Sequence, residues 1–133
     1  FHSGFGNIAE FKGNGTAEFN GDTEHNGFTK LGDESPKVKM KKVTGTLPDA
    51  NEHEVSLGIS FSKVLAYEVL VEAIQIDGAF IFTHKYKPGN DNPSGRNYRA
   101  SVRNPNGIAA VLFSNLGTAI KEQPFTVLVT FEQ

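Results

Sequence analysis

A five-residue word recurs after eight positions near the start of the chain: Ala9-Glu10-Phe11-Lys12-Gly13 and then Ala17-Glu18-Phe19-Asn20-Gly21. Eight is a multiple of the strand period of two and not of the helical 3.6. The repeat therefore sets Phe11 and Phe19 on one side of an extended chain and argues against a helix. Glycines at positions 4, 6, 13, 15, 21, 27 and 32 argue the same way. The large apolar residues of this run, Phe5, Ile8, Phe11, Phe19, Phe28 and Leu31, are too sparse to close a core among themselves. A unit that repeats without burying its own apolar face buries it against copies of itself. We read residues 1–35 as a short extended Gly/Phe-rich β-stem in which those six residues pack in a homotrimer, with residues 36–133 as the head it carries. A flexible Gly/Asn-rich leader is the alternative.

At 133 residues the chain is long enough for one domain with an appendage. Thirteen basic and fifteen acidic residues leave a net charge of −2, so no global field draws it to nucleic acid or an anionic membrane. Neither a nucleic-acid partner nor membrane insertion is expected, since no apolar run approaches the roughly 20 residues a membrane helix needs. The opening FHSGFGN has no basic-then-apolar signal pattern and Phe1 is not an initiator, so a fragment or a processed product is expected. Zero cysteines exclude disulfides, thiolate catalysis and cysteine metal sites together.

Beyond the polar break Asp33-Glu34-Ser35-Pro36, Lys37-Val38-Lys39-Met40-Lys41 alternates strictly, with three lysines on one face and Val38 and Met40 on the other. The lysine face reads either as a solvated edge that blocks edge-to-edge pairing or as a docking strip for an anionic polymer. Lys41-Lys42 breaks the alternation and suggests a bulge. Val55, Leu57, Ile59 and Phe61 then face one way, and Glu54, Ser56, Gly58 and Ser60 the other. Val64 to Ala73 is apolar on both faces apart from its glutamates and reads as a central strand. Asp77-Gly78 between two apolar runs predicts a type I′ hairpin. Arg96 to Arg103 alternates again, opposing Tyr98, Ala100 and Val102 to Asn97, Arg99, Ser101 and Arg103. Ile108 to Ser114 and Pro124 to Glu132 are the last two strands, the latter with Phe125, Val127, Val129 and Phe131 on one face. This pattern predicts an all-β head, an antiparallel β-sandwich of about seven strands.

No catalytic motif is readable, and His2, His25, His53 and His84 have no partner at metal-ligand spacing. We expect no enzyme activity, no cofactor and no metal. Asn90 to Gly95 mimics the start of a calcium loop, but Pro93 lies inside it and Ser101 stands where the bidentate Glu belongs. An Asn/Pro/Gly turn is the ordinary explanation. The surrounding stretch still collects the chemistry that holds sugars. It offers planar amides (Asn90, Asn92, Asn97, Asn104), a carboxylate (Asp91), guanidinium forks (Arg96, Arg99, Arg103) and aromatic platforms (Tyr86, Tyr98), with His84 nearby. A polar loop without a ligand is the alternative, and the loop from Asn115 to Gln123 is the second place for a site.

The passage from Phe19 to Thr46, FNGDTEHNGFTKLGDESPKVKMKKVTGT, resembles the join between stem and head in C-terminal segments of phage-type tail-fibre or tail-spike proteins. The ending PFTVLVTFE from Pro124 to Glu132 is similar to their closing strand. The resemblance implies a homotrimeric fibre tip on a virion tail or extracellular particle surface, an adhesin that attaches to a host by a cell-surface glycan or protein receptor. It carries no receptor residue over by motif. Two other classes fit the same residues: a trimeric jelly roll of complement-head or tumour-necrosis-factor type, and a carbohydrate-binding module of a secreted enzyme.

Overall fold

A computed structural model describes residues 2–3, 6–7, 9–74, 80–83 and 95–133. In chain order its strands are β1 (His2–Ser3), β2 (Gly6–Asn7), β3 (Ala9–Phe11), β4 (Ala17–Phe19), β5 (Thr29–Lys30), β6 (Lys37–Thr46), β7 (Glu52–Ser60), β8 (Val64–Ile74), β9 (Phe80–Thr83), β10 (Arg99–Arg103), β11 (Ile108–Ser114) and β12 (Pro124–Glu132). All described pairings are antiparallel. The seven strands β6 to β12 match the about seven that the spacing of apolar runs and turns predicts, and the short β5 joins them in the head.

The two copies of the repeated word pair with each other. Ala9 pairs with Phe19, Glu10 with Glu18 and Phe11 with Ala17, which gathers Phe11, Ala17 and Phe19 on one side of a hairpin. The Lys12 amide donates to the Thr16 carbonyl at 2.7 Å, closing a three-residue loop that ends on Gly15 at φ +86. A left-handed residue at that position is what this loop length requires. Glu10 and Glu18 repel across the other side, an effect offset where the Lys12 ammonium lies 2.5 Å from Glu18. Phe11 and Phe19 thus share a face as the eightfold spacing predicts, but on a folded-back ribbon instead of a straight stem. Phe5 and Ile8 lie outside the described residues.

The head is two sheets, β5-β6-β12-β8-β9 and β10-β11-β7. β12 is the hub of the first, paired along its length to β6 on one side and β8 on the other. Its inward row, Phe125, Val127 and Val129, is buried together with Val69, Val71 and Ala73 of β8. From the second sheet come Leu57 and Ile59 of β7 and Ala109, Val111 and Phe113 of β11. Phe113 and Phe125 meet across the two sheets at 5.0 Å between ring centroids, which makes the pair a sandwich with one shared core. Tyr67 of β8 donates its hydroxyl to the Ala100 carbonyl of β10 at 3.4 Å, and Lys41 of β6 donates to the Leu57 carbonyl of β7 at 2.8 Å. These two contacts tie the sheets along opposite sides.

Several local expectations are corrected. The register of β6 against β12 is unbroken from Thr46 to Val38, so there is no bulge at Lys41-Lys42. That register sets Lys41 beside Val129 and Lys39 beside Phe131, turning the lysine row toward the core side and leaving Met40 69% exposed. β6 is an edge strand beyond Val38 among the described residues, and long lysine stems can line the core margin while their ammonium groups reach water or a carbonyl. The bulge falls in β7, where pairing shifts between Ile108 and Ala110 of β11 and Gly58 adopts φ +66. The shift is by two residues, so Leu57 and Ile59 both remain inside. Phe61 leaves β7 for a short 3-10 turn and is 38% exposed. Phe28 packs edge-on against Phe131 of the same head at 5.6 Å, and β5 pairs with Lys37 and Val38. Phe28 to Lys30 therefore belong to the head, ahead of the boundary at residue 35. β8 and β9 pair as expected, while the Asp77-Gly78 turn lies outside the described residues.

Phe113→Ala should lower stability by about 3–5 kcal/mol, because its ring spans both sheets and leaves a cavity neither can close. Urea denaturation measures the loss, which is a large part of the roughly 5–15 kcal/mol of an ordinary domain. Tyr98 is fully buried, and burial pushes its phenol above the ordinary value of 10.0. The folded state then holds the proton more tightly than the unfolded chain, so this contribution is intact below pH 10 and is lost as pH rises past it. The urea midpoint should fall above pH 10, and less steeply in Tyr98→Phe.

Candidate binding face

β10 reads Arg-Ala-Ser-Val-Arg. Period two sends Ala100 and Val102 inward and leaves Arg99 and Arg103 exposed on the outer side with Ser101. Pairing with β11 sets Arg99 beside Ser114, Ser101 beside Leu112 and Arg103 beside Ala110. Pairing of β11 with β7 adds Glu52 beside Ser114, Glu54 beside Leu112 and Ser56 beside Ala110. The outer face of the three-stranded sheet is therefore ordered in columns: Arg99, Ser101 and Arg103 on one edge, Glu52, Glu54 and Ser56 on the other, and Ser114, Leu112 and Ala110 between.

One of the two cross-sheet charge pairs is closed. The Arg103 Nη1 donates to Glu54 Oε2 at 3.2 Å, with the side chains 51% and 41% exposed. A pair so exposed contributes about 0.2–1 kcal/mol and opens readily for a ligand. No ion pair joins Arg99 to Glu52 among the described residues. Along a strand, four residues separate the two guanidinium groups by roughly 13 Å. Such a row can hold a hydroxylated or anionic chain by charge-assisted and bidentate hydrogen bonds.

The remaining nominated residues divide three ways. His84, Tyr86, Asn90, Asp91 and Asn92, with the calcium-like loop up to Ser94, lie outside the described residues. Arg96 is half-buried. Asn97, Tyr98 and Asn104 have structural roles. The Asn97 amide donates to the Asn115 carbonyl at 3.0 Å, and the Asn97 carbonyl accepts from the Gly117 amide at 2.8 Å. Tyr98 is no surface platform: its ring lies in the core 6.3 Å from Phe113, because alternation along β10 extends one residue back to it. Asn104 Oδ1 accepts from the Gly107 amide at 2.7 Å and closes the turn before β11, the local bond asparagine makes at such positions. The Asn115 to Gln123 loop is packed, with Leu116 and Ile120 buried, and serves to clamp residues 95–97. Glu52, Glu54 and Ser114 were not nominated from the sequence, since only strand register brings them beside the arginines.

Comparison with known protein families, with curated proteins and with solved structures finds no match for this chain.

The clamp should prove more sensitive than the face. A Cβ at Gly117 would come within 2.0 Å of the Gly95 carbonyl oxygen, so Gly117→Ala should cost about 1–3 kcal/mol. Asn97→Ala should cost about 1 kcal/mol, and Arg103→Ala less than about 1 kcal/mol. Thermal melts of the three variants give the order.

Proposed function

We propose that this chain is a fibre-tip adhesin: a β-sandwich head, homotrimeric through its N-terminal run, that holds a cell-surface receptor, foremost a glycan, and does no chemistry on it. The observation that carries the reading is the apolar side of the β3–β4 hairpin. Phe11 and Phe19 stand on one side of a two-stranded ribbon, 69% and 55% exposed. A lone hairpin is marginally stable in water, and aromatic rings bury large areas when they are covered. Copies of the same hairpin about a common axis would cover them. Leu31, 75% exposed, continues the apolar run toward the head. The number three rests on the resemblance of the Phe19 to Thr46 passage to fibre stem–head joins. The column of Arg99, Ser101 and Arg103 supports a glycan over an apolar ligand, since it offers charged donors and hydroxyls to sugar oxygens. Three linked heads would raise a weak single-site affinity by avidity.

Light scattering of the intact chain at micromolar concentration should give three times 14.4 kDa, and the Phe11→Asp, Phe19→Asp double variant should be a monomer with an unchanged head melt. A monomeric parent chain would rule out the association. On a glycan array the trimer should bind, and Arg99→Ala should bind more weakly while melting normally. Release of sugar fragments from the bound glycan would contradict a purely adhesive role.

A further inference from the structure

β5 pairs with β6 so that Lys30 stands directly opposite Lys37. Like charges so opposed destabilise a ladder. Period two continues the row along β6 through Lys39 to Lys41, on the side of the strand that meets Phe131 and Val129. A fifth ammonium joins at the Lys37 end: Lys63 donates to the Gln133 carbonyl at 2.9 Å, and the Gln133 amide donates to the Lys37 carbonyl at 3.0 Å. We propose that this lysine row binds a linear anionic polysaccharide. The inference rests on the reading of the chain as a glycan binder, but names a site separate from the β10 face and a charge class of sugar.

Among the described residues none of the five lysines has an acidic partner; the ion pairs there use Lys12, Arg103 and Lys121. Asp33 and Glu34 are exposed in the turn between β5 and β6 and pair with none of them. In a chain of net charge −2 this is a local excess of cations, and bound anions would offset the repulsion that the Lys30–Lys37 register builds in. The ammonium groups are within reach of a ligand. Lys30, Lys37, Lys41 and Lys63 are exposed and Lys39 is half-buried, and β6 has no strand along its free edge beyond Val38 among the described residues. Two of them are also held: Lys41 donates to the Leu57 carbonyl at 2.8 Å, and Lys39 Nζ sits 4.8 Å from the centroid of the Phe28 ring. An ammonium has three donors, so each such contact leaves others for a ligand. A cation positioned in advance also loses less freedom on binding. Lysines two apart on a strand stand roughly 7 Å from one another. The row therefore calls for negative charge repeated along a chain. A polysaccharide suits it better than a nucleic acid, whose single strands bind by stacking bases on aromatic faces. The rings at this margin, Phe28 and Phe131, are half-buried and edge-on to each other, with Lys39 over the face of Phe28.

The test is an amide NMR titration of the intact chain with polygalacturonate, neutral dextran and single-stranded DNA in parallel, at physiological ionic strength. Polygalacturonate should give saturable shifts at residues 30, 37–41 and 63 that weaken as salt is added. Dextran should give none there, and DNA should bind at least about tenfold more weakly. The Lys30→Gln, Lys37→Gln double variant should lose at least about tenfold in polygalacturonate affinity, yet melt no lower than the parent because it relieves the opposed charges. Lys42→Gln removes a charge from the other face of β6 and should bind as the parent does. Full affinity in the double variant would leave the row a solvated edge and overturn the proposal. So would an equal loss in Lys42→Gln, equal or tighter binding of DNA, or no shifts at these residues with polygalacturonate. Array binding that Arg99→Ala weakens, by a chain whose lysine row stays silent, would remove this site and leave the adhesive reading standing.

Discussion

The head depends on β12 having one strand bonded along each side while its inward row fills the middle of the sandwich. Phe125 is the critical residue. Its ring lies over Gly45 of β6, where a Cβ would come within 2.7 Å, and reaches Phe113 of the opposite sheet at 5.0 Å. A side chain at position 45 would push the ring out of the core, so the smallest residue of β6 stands opposite a phenylalanine of β12. Val127 and Val129 continue the row at full burial, and Phe131 ends it half-buried, capped by Phe28. From this one strand follow the positions of both neighbours and the height at which the second sheet sits.

Much of this was legible because the strands have one wet and one dry face. Ile108 to Ser114 and Pro124 to Glu132 read from the sequence with the bounds they have in the structure. The inward rows of β7 and β12 also follow from period two, up to Phe61. What failed were features that alternation cannot fix by itself. The lysines of β6 share a face as expected, but which face is core depends on the partner strand, and Val129 and Phe131 draw Lys41 and Lys39 inward. The bulge at Gly58 was hidden because a two-residue shift preserves parity. The repeated AEF words read as an extended stem because a spacing of eight is met equally by a straight run and by a hairpin closed at Gly13-Asn14-Gly15.

Site residues were legible in kind more than in place. Arg99 and Arg103 read as outward-facing and are exposed; Tyr98, one position earlier, belongs to the core by the same alternation. Asparagines in a loop look like ligand-binding amides, yet Asn97 and Asn104 complete backbone hydrogen bonds that the fold would otherwise leave open. The carboxylate column at Glu52 and Glu54 comes from a strand some 50 residues away in sequence.

If copies of the chain cover one another through the Phe11 and Phe19 face, the hairpin should be ordered by association and the head by itself. Amide hydrogen exchange measured across a dilution series separates the two contributions. Protection of residues 9–19 should rise with protein concentration along the assembly curve, while that of β11 and β12 stays constant. Protection in the hairpin that is low and unchanged by concentration would contradict the account.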